Sequence, residues 1–209
     1  MKEYKGKIIL TSIVTILPIL IGLVLWNRLP DTIATHFGAD NVPNGWSSKP
    51  FAVIGIPAIL LVFHLFALGI TLNDPKKRNI GKMMLSVIFW IIPVVSLVVN
   101  TATLSYAMGS KIDIGMIANI LVGLMFIIMG NYMSKNRQNY TVGIRIPWTL
   151  GSEENWDRTH RFASKLWVIG GIIFVINARV QSILILVVII LMTMIAPMIY
   201  SFVLYKKGN

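Results

Sequence analysis

The chain has 209 residues, of which 56% are hydrophobic and 13% are charged, and its mean hydropathy is +0.74. These values exclude a soluble globular domain and indicate a multi-pass membrane protein. The lack of cysteine excludes disulfides, thiolate metal sites and cysteine nucleophiles. The net charge of +11 comes from basic residues scattered between apolar runs, which is typical of membrane topology and does not indicate direct nucleic-acid binding.

The first predicted span is the apolar run Ile8–Trp26, which three lysines precede. A helix of this length rises about 28 Å, close to the bilayer hydrocarbon thickness of about 30 Å. A signal peptide has an apolar region of only about 7–15 residues and ends at a small-residue cleavage site. This run ends instead at Trp26-Asn27. The pattern predicts an uncleaved first span.

A polar interval, residues 29–50, follows the first span. Asn44-Gly45 is a strong turn signal within it, and Asp40-Asn41 with Pro43 adds another bend beside it, so we expect a compact loop. Asp31, His36 and Asp40 lack a recognisable ligand spacing, and we interpret them as turn and cap residues. We therefore predict no metal site in this loop.

Further apolar runs are long enough to span a bilayer, and they are Phe51–Leu72, Met83–Ala107, Ile114–Met133 and Ile183–Tyr205. One more run, Leu166–Ile176, is short. It crosses only if its helix begins near Phe162, with Lys165 snorkelling, and continues to about Val180. The predicted fold is an all-α integral membrane protein with a bundle of six transmembrane helices.

The distribution of basic residues predicts the orientation, because Lys and Arg concentrate on the cytoplasmic side. With both termini in the cytoplasm, only Arg28, Lys49, Lys111 and Arg179 of the 19 Lys and Arg residues lie outside. Helices one to three and four to six then enter the membrane from opposite sides. We state as a hypothesis that the two halves form a 3+3 inverted repeat.

The longest polar interval lies between the fourth and fifth spans. Gly143 and Pro147 bracket a segment that cannot be regular helix. Ser152 is predicted to be an N-cap, because two glutamates follow where the helix dipole favours carboxylates. The acid-before-base pairs Glu154/Arg158 and Asp157/Arg161 predict an amphipathic helix that lies at the membrane interface before turning into the next span.

The predicted spans hold few polar side chains that transport would use. His64 is the one ionisable residue well inside a span, and Asn100 and Asn119 are the other notable polar groups. Asparagines at such positions more often bond helix to helix. No motif of a zinc protease, serine hydrolase or nucleotide-binding loop occurs, so we predict that the chain is not an enzyme and needs no cofactor.

Two motifs resemble those of a known family. The inner motif resembles the signature loop of the SdpI family of bacterial membrane immunity proteins, and it consists of Gly143-Ile144-Arg145-Ile146-Pro147-Trp148-Thr149-Leu150, Glu154, Trp156 and Arg161-Phe162-Ala163-Ser164-Lys165. The outer motif is similar to the extracytoplasmic segment of the small domain that commonly precedes this signature, and it consists of Leu29-Pro30, His36-Phe37, Gly45-Trp46 and Ser48-Lys49-Pro50.

The resemblance implies a division of the chain into two parts and a location in the bacterial cell membrane. Residues 1–80 would form an N-terminal two-span segment with the outer loop 29–50. Residues 81–209 would form a four-span segment with the inner signature loop, residues 139–165.

The resemblance also implies protection of the cell against a secreted antimicrobial peptide toxin. In the best-known member the protein also acts as a receptor that holds a cytoplasmic ArsR-type autorepressor at the membrane. The implied binding residues of the inner signature loop are Gly143, Arg145, Pro147, Trp148, Thr149, Glu154, Trp156 and Arg161. Those of the outer loop are His36, Phe37, Trp46 and Lys49.

Three residues of the inner signature loop have specific expected roles, and a transporter is the alternative function. We expect Arg145 to be a polar anchor, and Trp148 and Trp156 to contact the interface or a partner. The alternative is a small-molecule or ion transporter of the cell membrane, which predicts a polar cavity around His64, Asn100 and Asn119.

Overall fold

A computed structural model describes residues 2–208 of the chain. Within that range six helices are long and apolar enough to cross a membrane, as predicted. They are α1 (Lys5–Val24), α2 (Ile56–Leu72), α3 (Lys82–Ala107), α4 (Ile114–Met133), α6 (Glu153–Val180) and α7 (Ile183–Lys206). A π-helical turn, Phe51–Gly55, extends α2 at its start, and the short helix α5 (Pro147–Gly151) lies between α4 and α6.

The outer loop contains an antiparallel β-hairpin, so the all-α prediction was wrong in this segment. Strand β1 (Thr32–Phe37) pairs with β2 (Pro43–Ser48). The predicted turn at Asn44-Gly45 was also wrong, because both residues lie inside β2. The chain reverses at residues 38–42, which confirms the predicted bend at Asp40-Asn41. Asn41 adopts a left-handed φ of 60°, and its N–H donates to the Gly38 carbonyl.

The chain divides into two compact units, and the first comprises Met1–Leu68 and Ile88–Ala118. Its apolar core joins the hairpin to the spans, and the fully buried members are Leu29, Ile33, Ala52, Val53 and Leu104. The hairpin turn is also fixed, because the Asn41 side-chain oxygen accepts a hydrogen bond from Gly115 N–H (2.8 Å) at the start of α4.

The second unit comprises Gly69–Val87 and Asn119–Asn209. Helices α4 and α6 approach closely in this unit through glycines. A Cβ atom on Gly171 would lie 2.5 Å from the Gly123 carbonyl oxygen, so the two backbones touch where neither residue has a side chain. Helix α7 packs on α6, and the Trp167 indole N–H donates to the Thr193 carbonyl (3.1 Å).

Helix α6 is a single continuous helix of 28 residues. The Ser152 side chain accepts a hydrogen bond from Asn155 N–H (3.1 Å), which confirms the predicted N-cap. The prediction of an interfacial helix that turns into the next span was wrong. Because neither proline nor glycine occurs from Glu153 to Ile169, the backbone hydrogen-bond ladder continues without interruption into the span.

Candidate functional site

The inner signature loop is fixed by an acidic residue of another loop, Asp74, which is 5% exposed. Its carboxylate accepts hydrogen bonds from Tyr140 N–H (2.9 Å) and from the Thr141 hydroxyl (2.6 Å). The same carboxylate also accepts from Lys76 N–H (2.7 Å). These bonds join two loops that both belong to the second unit. No sequence motif indicated that Asp74 is part of the site.

Gln138 and Asn136 extend this connection just before the signature loop. The Gln138 amide donates to the carbonyls of Thr149 (3.0 Å) and Leu150 (2.9 Å). The Asn136 side-chain oxygen accepts from Gly81 N–H (2.8 Å). Both amide side chains are buried. Burying them is favourable only because they are hydrogen-bonded, and these bonds fix the path of the backbone.

His160 bonds to the loop through both ring nitrogens. Its Nε2 accepts from Ile144 N–H (2.9 Å) and its Nδ1 donates to the Trp156 carbonyl (2.8 Å). A backbone N–H can only donate and a carbonyl can only accept, so the geometry requires the neutral ring protonated at Nδ1. His160 is 1% exposed and has no accessible lone pair for catalysis or metal binding in this arrangement.

Gly143 lies where this histidine meets the loop. Its φ of +116° is strained for any residue with a side chain. A Cβ atom at this position would collide with His160 Nε2. The glycine is therefore required both by backbone conformation and by close packing.

Thr149 and Pro147 set the geometry of α5. Pro147 occupies the first position of this short helix, where its missing N–H and its fixed φ are favourable. The buried Thr149 hydroxyl lies 2.8 Å from the Ile144 carbonyl and 2.9 Å from the Ile146 carbonyl. It also accepts from Ile146 N–H (3.1 Å). Thr149 thus stabilises the turn into α5 and is not available to a partner.

The two tryptophans of the inner signature loop differ in exposure. Trp156 is 0% exposed and its indole N–H donates to the Asn136 carbonyl (2.9 Å). The expectation that Trp156 faces the interface or a partner is corrected by this burial, because the ring holds the loop against α6. Trp148 is only half-buried and packs against Phe202 and Tyr205, with centroid distances of 5.3 and 6.0 Å.

The charged residues of the predicted binding set lie on the surface. Arg145 is exposed and donates to the Tyr140 carbonyl (2.7 Å), so it bonds within the loop. Glu154 forms the predicted ion pair with Arg158 (3.3 Å). Arg161 is exposed, and within residues 2–208 no ion pair joins it to Asp157. These exposed groups surround a rigid, buried polar framework.

The outer residues lie on or beside the hairpin of the first unit. His36 is exposed and bonds to Asn44, Phe37 packs edge-on against Tyr106 (5.1 Å), and Trp46 is 60% exposed. The Lys49 ammonium lies 3.1 Å from the Asp31 carboxylate. Among the described residues no three His, Asp or Glu side chains are grouped to hold a metal.

The polar residues that a transporter would use are hydrogen-bonded inside the protein. In the first unit His64 Nε2 and the Thr11 hydroxyl form a hydrogen bond (2.9 Å), while His64 Nδ1 has no partner among the described residues. The Asn100 amide donates to the Ser96 carbonyl of its own helix (2.7 Å). In the second unit Asn119 accepts from the Asn177 amide (3.0 Å). The His64–Thr11 and Asn177–Asn119 bonds join two helices, as is typical of packed membrane helices, which confirms the expectation for Asn119. The bonds from Asn100 to Ser96 lie within α3.

Comparison with known proteins gives two family matches and one curated relative. Residues 135–201 match the family described as SdpI/YfhL protein family, and residues 13–61 match the one described as Domain of unknown function (DUF1648). The chain is 30% identical over 206 residues to Immunity protein SdpI of Bacillus subtilis (strain 168). The matched region covers 97% of this chain and 98% of that protein. No solved structure matches the chain significantly.

Proposed function

This chain belongs to the SdpI family, and we propose that it is a membrane immunity protein that protects the cell against a secreted antimicrobial peptide toxin. The observation that carries this proposal is its likeness to Immunity protein SdpI along nearly the whole of both chains. That likeness includes both the outer hairpin and the inner signature loop. The protein is a multi-pass protein of the cell membrane.

We propose that both termini are cytoplasmic and that the hairpin lies outside the cell. The asymmetric distribution of Lys and Arg supports this orientation. It puts the hairpin where a secreted peptide arrives and the inner signature loop where cytoplasmic proteins can reach it. We also propose that the two halves form a 3+3 inverted repeat, a hypothesis that the same order of spans supports.

The hairpin is the proposed contact for the toxin. Trp46 and Val42 expose 60% and 55% of their surfaces, whereas the apolar side chains of Ile33 and Ala34 in the same hairpin are buried. Exposed aromatic residues are common anchors of protein interfaces, because they bury a large rigid surface on binding. His36 is exposed on the same hairpin and adds a polar group. A membrane-active peptide, which is itself amphipathic, suits this combination.

The inner signature loop is the proposed contact for a cytoplasmic ArsR-type repressor. Arg145, Arg161 and Tyr140 are exposed, while the residues beneath them are hydrogen-bonded and buried. A surface held rigid in this way loses little entropy when a partner binds. Holding the repressor at the membrane would relieve repression of the immunity gene.

A survival assay tests the immunity function. A sensitive bacterial strain is challenged with a secreted membrane-active peptide from the same source, with and without the full chain. We expect Trp46→Ala and Lys49→Ala to lower survival at equal membrane levels. Lys111→Ala is the control, because it removes another lysine of the proposed outer side that does not belong to the hairpin. Lack of protection by the wild type against any such peptide would contradict the proposal.

A second arm separates signalling from protection. We expect Arg145→Ala to keep protection and to lose recovery of the repressor with the membrane fraction. Arg137→Ala is the matched control, because it removes another exposed arginine near the same loop. If Arg145→Ala also abolishes protection, the inner loop is part of the resistance mechanism. If the chain gives no protection but carries a solute into vesicles in a His64-dependent way, the transporter alternative is correct.

A further inference from the structure

A pocket of about 610 Å³ opens beside Trp148 in the second unit. Its lining residues are Pro147, Trp148, Gly151, Ser152, Tyr205 and Gly208. It combines two aromatic side chains with a hydroxyl group and an accessible backbone, which suits a ligand with both apolar and polar parts.

The pocket lies where two membrane spans end. Helix α6 begins at Glu153, next to Ser152, and α7 ends at Lys206, next to Tyr205. Lipid headgroups surround a membrane protein at the ends of its spans, and Trp and Tyr are enriched at this depth. Towards the membrane, α7 continues with exposed apolar side chains, including Ile199 and Phe202, along which acyl chains can lie.

Two groups at the pocket can donate hydrogen bonds. The Trp148 indole N–H is buried and has no partner among the described residues. A buried donor without an acceptor is unfavourable, so a small rotation of the ring towards an acceptor in the pocket would be favoured. Ser152 uses its oxygen to accept from Asn155 N–H, which leaves its hydroxyl proton available.

The charge near the pocket is positive. Lys206 and Lys207 follow Tyr205 and are both exposed, and the Lys206 ammonium lies 5.7 Å from the Phe202 ring centroid. Two acidic residues, Glu153 and Glu154, follow Ser152 in sequence, and Glu154 pairs with Arg158 (3.3 Å). Two lysines therefore stand against one carboxylate, that of Glu153, for which no ion pair occurs among the described residues. This balance favours an anionic headgroup over a zwitterionic one.

We propose that this pocket binds the phosphate headgroup of an anionic phospholipid, with Lys206 and Lys207 providing the charge selectivity and Trp148 and Ser152 the hydrogen bonds. The inference is independent of the immunity function, because it rests on the lining of the pocket, its position at the ends of α6 and α7, and the positive charge beside it. A cytoplasmic protein segment is the competing occupant, and the experiment below distinguishes it.

Native mass spectrometry of the full chain in neutral detergent tests the proposal. The protein is mixed with equal concentrations of phosphatidylglycerol and phosphatidylcholine. We expect the wild type to retain phosphatidylglycerol preferentially. Replacing each lysine by glutamine should lower its retention about 5-fold, so that Lys206→Gln with Lys207→Gln binds the two lipids equally. Equal retention of the two lipids by the wild type would overturn the proposal and assign the pocket to a protein partner. An unchanged preference for phosphatidylglycerol in the double variant would overturn it in the same way.

Two further variants test the hydrogen bond. Trp148→Phe keeps an aromatic ring and removes an unsatisfied N–H, so we expect weaker retention of phosphatidylglycerol with no fall in the unfolding temperature. Trp46→Phe, in the outer hairpin, is the matched control and should retain the lipid as the wild type does. Displacement of the lipid by millimolar glycerol phosphate would assign the pocket to a soluble phosphate compound and overturn the lipid assignment.

Discussion

Trp156 and His160 stack one turn apart on α6, with ring centroids 3.9 Å apart and ring planes inclined by 21°. Each ring also bonds to a different part of the preceding chain. The Trp156 N–H donates to the Asn136 carbonyl, and His160 accepts from Ile144 N–H. The stacked pair therefore clamps both ends of the segment that enters α5.

Replacing His160 by phenylalanine should keep the stack and leave Ile144 N–H without an acceptor. An unsatisfied buried donor costs about 1–3 kcal/mol, so we expect the free energy of unfolding to fall by this amount. Unfolding in mixed micelles measures the change, and hydrogen exchange at the Ile144 amide should become faster. His36→Phe, at an exposed position in the hairpin, is the control. Unchanged exchange at Ile144 would contradict the prediction.

Gly143→Ala should distort the loop, because alanine disfavours a φ of +116° and its Cβ would collide with His160. A strained backbone position of this kind costs about 1–3 kcal/mol. Gly151→Ala is the matched control, since a Cβ there meets nothing within 4 Å. Limited proteolysis of the loop should increase for Gly143→Ala alone. Equal protease resistance of the two variants would show that the clamp tolerates the methyl group.

Asp74→Asn should release the start of the inner signature loop. The asparagine places an NH₂ group where a carboxylate oxygen now accepts from Tyr140, Thr141 or Lys76. Hydrogen bonds to a charged group contribute about 1.5–3 kcal/mol each. We expect faster hydrogen exchange at Tyr140 and lower thermal stability. Asp157→Asn removes an exposed carboxylate of the same unit and should change neither quantity.

Gly171→Ala should separate α4 from α6, because its Cβ would lie 2.5 Å from the Gly123 carbonyl oxygen. Overpacking in a well-packed interior costs about 1–3 kcal/mol, and here the neighbour is backbone that cannot change rotamer. Gly69→Ala is the control, since a Cβ on Gly69 meets nothing within 4 Å. Thermal unfolding in detergent should separate the two variants, and equal unfolding temperatures would disprove tight packing here.

The six spans were predictable because the length of an apolar run is compared with one fixed quantity, the bilayer thickness. The Ser152 cap and the Glu154/Arg158 pair were predictable because both depend on residues within one helical turn. In the outer loop, composition indicated bends both at Asp40-Asn41 and at Asn44-Gly45, and it could not show which of them reverses the chain. The structure uses the bend at Asn41, whose side chain also bonds to Gly115, far away in sequence.

The long-range contacts of the site could not be predicted from local patterns. Asp74 precedes a run of basic residues and carries no motif, and its partner Tyr140 lies 66 residues further on. Trp156 was expected at the interface because tryptophan is enriched there. Its burial depends on an acceptor, the Asn136 carbonyl, that only the folded loop presents.

The length of α6 links the membrane to the inner signature loop. Its 28 residues rise about 42 Å, roughly 12 Å more than the thickness of the hydrocarbon layer. An upright helix would thus extend its first turns, with the Trp156–His160 stack, beyond the hydrocarbon. Because no proline interrupts this helix between the stack and Gly171, where α6 touches α4, a rotation of α6 about its axis within the bilayer would also rotate the stacked pair and the loop bonded to it.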